Sequence, residues 1–138
     1  MNQLQIKNIH IFISHSWGYD DHYNKVKEWI SSAGWNISDY SIPRSNPLDT
    51  KTNAQLRDGI IEHIRHASIV IICAGMYDSY SNWIQFEIDT ALAMNKPVIA
   101  VKPWGNVRIP AAIQNNSDKI LVVNWQKDSV IFGIRSLL

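Results

Sequence analysis

The run Ile69-Val70-Ile71-Ile72-Cys73-Ala74 is apolar throughout and mostly β-branched, and helical patterns flank it on both sides. A strand with one wet face alternates apolar and polar side chains, whereas a continuously apolar strand is covered on both faces. Parallel strands need long crossover connections, and those connections lay helices over the two faces of the sheet. This single run therefore points to a buried parallel sheet.

The rest of the chain repeats the alternation. Ile9-His10-Ile11-Phe12-Ile13 reads as a strand. Residues 21–33 carry Tyr23, Val26, Trp29 and Ile30 at helical spacing, with Gly34 as a stop. Residues 35–40 form a short strand, and 41–47 a polar loop. A helix is expected over about 52–67, with Leu56, Ile60, Ile64 and Ala67 on one face. The strand at 68–74 precedes a helix over about 82–95, where Asn82 and Gln85 fit a capping box. Strands at 98–101 and 120–123 are separated by a loop containing Pro103, Trp104, Gly105 and Pro110, and an amphipathic helix over about 128–137 follows. The fold expected is α/β: a flavodoxin-like, doubly wound, five-stranded parallel sheet of order 2-1-3-4-5 with helices on both faces. Its 138 residues suit a single domain, 1–138.

Bulk properties remove several function classes. With 13 basic and 12 acidic residues and no basic run, there is no electrostatic footprint for nucleic acid. No apolar run approaches the roughly 18 residues that span a bilayer, and no secretory signal is visible, so no membrane partner is expected. The single Cys73 excludes an internal disulfide, suits the reducing cytoplasm, and reads as a small buried hydrophobe. The five His show no metal-ligand spacing; His63 and His66 read as solvated helix residues.

In open parallel sheets, ligands bind outside the carboxyl ends of the strands where the winding direction switches. Here that lies between the first and third strands. The loop Ser14-His15-Ser16-Trp17-Gly18 brings hydroxyls, an imidazole and an indole; the 41–47 segment brings Arg44, able to grip a diphosphate; and Gly75-Met76-Tyr77 follows the third strand. The first loop lacks the glycine pattern of a phosphate-gripping turn. The next helix adds Trp83 and Glu87, stacked on one face by their i, i+4 spacing.

One carboxylate is too few for ordinary glycoside hydrolysis, where a second must protonate the leaving alkoxide. A substrate whose leaving group already carries positive charge needs no such acid. NAD is one: nicotinamide departs neutral from a cationic bond. A lone Glu87 could then hold the ribose hydroxyls and stabilise the oxocarbenium-like transition state. Its place in the early turns of the expected helix would favour the ionised form.

At these residues the chain resembles TIR-domain proteins, in particular the short bacterial TIR-like branch that contains the TIR component of the Thoeris anti-phage system. The resemblance rests on Phe12-Ile13-Ser14-His15-Ser16-Trp17, Ser41-Ile42-Pro43, Ala74-Gly75-Met76-Tyr77, the run Ser81-Asn82-Trp83-Ile84-Gln85-Phe86-Glu87-Ile88, and Lys96-Pro97-Val98-Ile99-Ala100-Val101. It covers nearly the whole chain. It implies that Glu87 is the residue that cleaves the nicotinamide–ribose bond and that Trp83 is its matching aromatic. It implies that the Ser14 to Trp17 loop lines the nicotinamide side and that the 41–47 segment shapes the site and mediates homo-oligomeric assembly. NAD would be substrate rather than cofactor, and the product a cyclic ADP-ribose isomer sensed by a separate effector protein. The chain departs from the family in having His15 after the first-strand Ser, and it lacks the eukaryotic signalling motifs.

Two other readings fit the same pattern. A TIR fold can be a non-catalytic interaction module, with Trp83 packed and Glu87 a surface acid. A nucleoside deoxyribosyltransferase-like enzyme would also place a carboxylate on a sugar. A receiver-like phospho-acceptor is disfavoured, because the central strands end in Ser14 and Ala74 instead of an Asp.

Overall fold

The structure is a computed structural model that describes residues 8–14, 20–41, 53–74, 77–102 and 111–138, with the backbone alone for Asp20, Asn53, 77–82 and Ala112. The elements run β1 (Asn8–Ile13), α1 (Asp20–Ser32), β2 (Asn36–Asp39), α2 (Asn53–His66), β3 (Ile69–Cys73), α3 (Tyr77–Ala93), β4 (Val98–Val101), α4 (Ala111–Gln114), β5 (Ile120–Val123) and α5 (Lys127–Leu137). The five strands form one sheet of order β2-β1-β3-β4-β5. Every neighbouring pair is parallel. This is the flavodoxin-like order that the alternating pattern implies.

Every residue of β3 and β4 is buried, as their unbroken apolar runs require. Ile13, Ile71, Ile99 and Leu121 face one another in a row across β1, β3, β4 and β5. The row ends at the β5 edge, where Leu121 is exposed. α1 packs beside α5, and α2 beside α3. Each of the four longer helices turns its apolar stripe to the sheet: Val26 and Ile30 from α1, Ile60 and Ile64 from α2, Ile84, Ile88 and Ala91 from α3, Val130 and Ile134 from α5, all fully buried. Gly133 lets α5 approach β5 closely, since a Cβ there would meet Val123 Cγ1 at 3.0 Å.

Gly34 ends the turn after α1 with φ +88, a conformation that penalises any Cβ. Space is not the obstacle, because nothing lies within 4 Å of the point where a Cβ would sit. Gly34→Ala is therefore expected to cost about 1 kcal/mol, read as a lower urea midpoint with an unchanged slope.

Two elements differ from the sequence reading. α3 begins at Tyr77, well before Asn82. The segment Tyr77-Asp78-Ser79-Tyr80-Ser81 consists of indifferent helix formers without an apolar period, so its helical character is not legible locally. Asn82 thus lies inside the helix and cannot be its N-cap. The four-residue α4 is too short to show any period. Among the described residues no helix is long and apolar enough to cross a membrane.

Candidate active site

Side chains alternate along β1, so His10, Phe12 and Ser14 share one face and Ile9, Ile11 and Ile13 the other. Ser14 extends β1 by a residue: its amide donates to the Ile71 carbonyl at 2.8 Å, continuing the ladder with β3. From α3, Ile84, Glu87, Ile88 and Ala91 project toward the sheet at helical spacing, and each is 0% exposed. A carboxylate therefore occupies a position that the helix pattern reserves for a hydrophobe. Ser14 is likewise 0% exposed. The two meet: Ser14 Oγ donates to Glu87 Oε1 at 2.9 Å, joining the tip of β1 to the middle of α3.

Burying a carboxylate carries a desolvation cost that its partners must offset, and an apolar side chain of similar size would pack there without that cost. Glu87 is thus difficult to explain as a packing residue. It lies about three turns into α3, too far from the N-terminus for the helix dipole to act on it, since that effect fades within the first turn. The expectation that the dipole supports its charge fails for this reason, and the Ser14 hydroxyl is an interaction that does support it. Nor is Glu87 the surface acid that an interaction module would carry.

Cys73, at the end of β3, is 1% exposed. Burial first, and the nearby Glu87 charge second, push its thiol up to about 12. It remains protonated and is no nucleophile. Native protein at pH 8 is expected to leave Cys73 unmodified by Ellman's reagent, with one thiol titrating only after unfolding.

At the end of β2 a second polar group assembles. Asp39 accepts hydrogen bonds from the Tyr23 hydroxyl and, at 2.9 Å, from the Ser41 amide, and Lys27 Nζ lies 3.1 Å from its Oδ2. Ser41 Oγ in turn accepts from the Ile13 amide at 2.8 Å. Burial alone would raise the Asp39 carboxyl; the Ser41, Tyr23 and Lys27 donors outweigh it and hold the group below its ordinary value of 3.8. A depressed folded value means this stabilisation is complete above pH 3.8 and is lost as pH falls through the folded value. Asp39→Asn is expected to flatten the acid side of the stability–pH curve, measured by urea unfolding.

Beneath this end of the sheet, Tyr40 stacks between His10 and His66, and its carbonyl meets His63 Nδ1 at 2.6 Å. His63 is half-buried rather than solvated, with the Tyr40 carbonyl and ring against it; His66 is exposed. Trp83 is half-buried, with its ring edge-on to Phe86 at 6.3 Å. Ser14, Trp83 and Glu87 are thus placed by β1 and α3. His15, Ser16, Trp17 and Arg44 lie outside the described residues, and Tyr77 is the first residue of α3, with its side chain undescribed. Ser41 belongs to the 41–47 segment expected at the site, whereas Asp39 was missed by sequence reasoning, its one signal being an acid at the end of a short strand just before that segment. Among the described residues no group of three or more His, Cys, Asp or Glu could hold a metal ion.

The family model of the TIR-like domain of the Thoeris protein ThsB matches residues 12–108. The chain belongs to this family. The ThsB TIR-like match takes in β1 from Phe12 through β4, and so includes Ser14, the Asp39–Ser41 group and Glu87. No curated protein matches this ThsB-family chain. Among solved structures, the Clostridium botulinum CMP N-glycosidase BcmB is similar, with a TM-score of 0.60, 12% identity, and coverage of 94% of this chain and 99% of that one. At that identity the likeness is one of fold.

Proposed function

We propose that this ThsB-type TIR-like domain cleaves the nicotinamide–ribose bond of NAD and closes the ADP-ribose into a cyclic signalling nucleotide for anti-phage defence. The observation that carries the reading is the buried Glu87 carboxylate, fixed by the Ser14 hydroxyl at the switch point of the sheet. Family membership adds to it.

The chemistry follows from one acid and a cationic leaving group. As the C1′–N bond breaks, its electron pair returns to the pyridinium ring and nicotinamide leaves neutral, so no proton is needed. Positive charge develops on the ribose, where the Glu87 carboxylate faces it and accepts hydrogen bonds from ribose hydroxyls. A hydroxyl of the same ADP-ribose then attacks C1′ and gives up its proton, or a ring nitrogen attacks with its lone pair and takes on the positive charge until a ring-amine proton is lost, giving the cyclic product; water in its place gives linear ADP-ribose and likewise a proton. Ser16, His15, Trp17, Arg44 and Tyr77 are the further substrate contacts proposed, with Trp83 beside the acid. A homo-oligomer acting in the cytoplasm, and a separate effector that senses the nucleotide, complete the proposal.

Glu87 has no exposed surface in this state, so turnover requires the groups covering it to move. The resting protein is expected to be slow until triggered.

The N-glycosidase fold of the neighbour favours one second reading, cleavage of a nucleotide whose base is uncharged. That reaction needs a proton for the departing base. The two are separated by offering NAD, its reduced form, CMP and deoxynucleosides side by side and following release by chromatography. Cleavage of NAD with the reduced dinucleotide and the nucleosides untouched supports the proposal; cleavage of CMP or deoxynucleosides without NAD overturns it. Mass spectrometry of the product distinguishes cyclic from linear ADP-ribose.

A further inference from the structure

The tip of β1 is pinned from both sides. On one side the Ser14 amide donates to the Ile71 carbonyl of β3. On the other, β2 has already ended at Asp39, and the Tyr40 amide makes its last rung, to the Ile11 carbonyl at 2.8 Å. The next β1 donor on that side is the Ile13 amide, and it donates to the side chain of Ser41 at 2.8 Å. A hydroxyl thus supplies the rung where the strand stops. Its location is fixed in turn, because the Ser41 amide is held by Asp39 Oδ1 and Asp39 by Tyr23 and Lys27 of α1. Ser41 holds Ile13, the residue directly before Ser14, and Ser14 carries the hydroxyl on Glu87.

We propose that Ser41 is a positioning residue for the active site: its hydroxyl, anchored by Asp39, sets the backbone at Ile13 and through it the Ser14–Glu87 hydrogen bond. This rests on Glu87 being the catalytic carboxylate. A shift in the carboxylate of a fraction of an ångström lowers the rate of a positioned reaction without weakening substrate binding.

The test uses the fact that the chain has three glutamates, Glu28, Glu62 and Glu87. Glu28 and Glu62 are exposed, with side chains 70% and 54% accessible. Their carboxyl carbons therefore separate from that of buried Glu87 in the NMR spectrum of glutamate-labelled protein. Ser14→Ala identifies the Glu87 signal and the direction it moves when the hydroxyl is lost. Ser41→Ala is expected to move that signal the same way, leave Glu28 and Glu62 in place, and lower kcat for nicotinamide release about tenfold with KM unchanged. Ser41→Thr, which retains the hydroxyl, is expected to restore both. Should Ser41→Ala fail to fold, Asp39→Ala, which removes the acceptor that holds the Ser41 amide, tests the same anchor and is expected to move the signal in the same direction. An unmoved Glu87 signal in the folded variant overturns the proposal whatever the activity. A moved signal in a protein that cleaves CMP or deoxynucleosides but not NAD leaves the positioning intact and defeats the NAD reading instead.

Discussion

Glu87→Gln is expected to lower nicotinamide release from NAD by at least about 100-fold while the protein keeps its fold. The magnitude follows from what the substitution removes. One preorganised group aimed at developing charge in a water-poor site is worth roughly 100- to 1,000-fold in rate. Glu87 has no solvent exposure, and the low local dielectric strengthens the interaction between its charge and an oxocarbenium-like ribose. Gln retains the shape and a carbonyl oxygen able to accept from Ser14 Oγ, so the 2.9 Å contact survives. It also spares the cost of burying a charge, so thermal stability is expected to hold or rise. Lost activity together with unchanged or raised stability separates a chemical role from a structural one. A residue retained for packing would show the opposite combination.

The second large effect concerns the scaffold. Ile71→Ala is expected to cost about 3–4 kcal/mol. Ile71 is 0% exposed at the centre of the sheet, with Ile13 and Ile99 as its neighbours in the register. β3 is covered on both faces, so little can collapse into the space left by the lost methylene and methyl groups. Such a loss is a large part of the roughly 5–15 kcal/mol that stabilises a domain. Phe132→Ala provides the contrast: Phe132 is 74% exposed on α5, and its removal is expected to stay within about 0.5 kcal/mol. Chemical denaturation of the three proteins side by side checks both values.

The sheet was readable because two of its central strands, β3 and β4, are buried on both faces. Ile69 to Cys73 and Val98 to Val101 announce themselves as unbroken apolar runs, and helix patterns between them fix parallel order. The start of α3 was not readable, since 77–81 has neither strong helix propensity nor an apolar period. That error also misplaced the source of support for Glu87, from the helix dipole to a hydroxyl on another strand. Ser14 and Glu87 were both expected at the switch point, but their direct bond spans most of the chain and depends on side-chain geometry that no spacing encodes. Ser41 was seen as the first residue of a loop, and Asp39 drew no notice at the end of its short strand. Both matter because the β2 ladder stops short of the β1 tip, a fact of register alone.

The most direct measurement is nicotinamide release from saturating NAD by wild type and by Glu87→Gln, followed by chromatography at equal concentrations of folded protein. Release by wild type and its loss in the variant is the result expected from a lone carboxylate acting on a cationic leaving group. Equal release by the two proteins would contradict it, because no charge at position 87 would then be needed to break the bond.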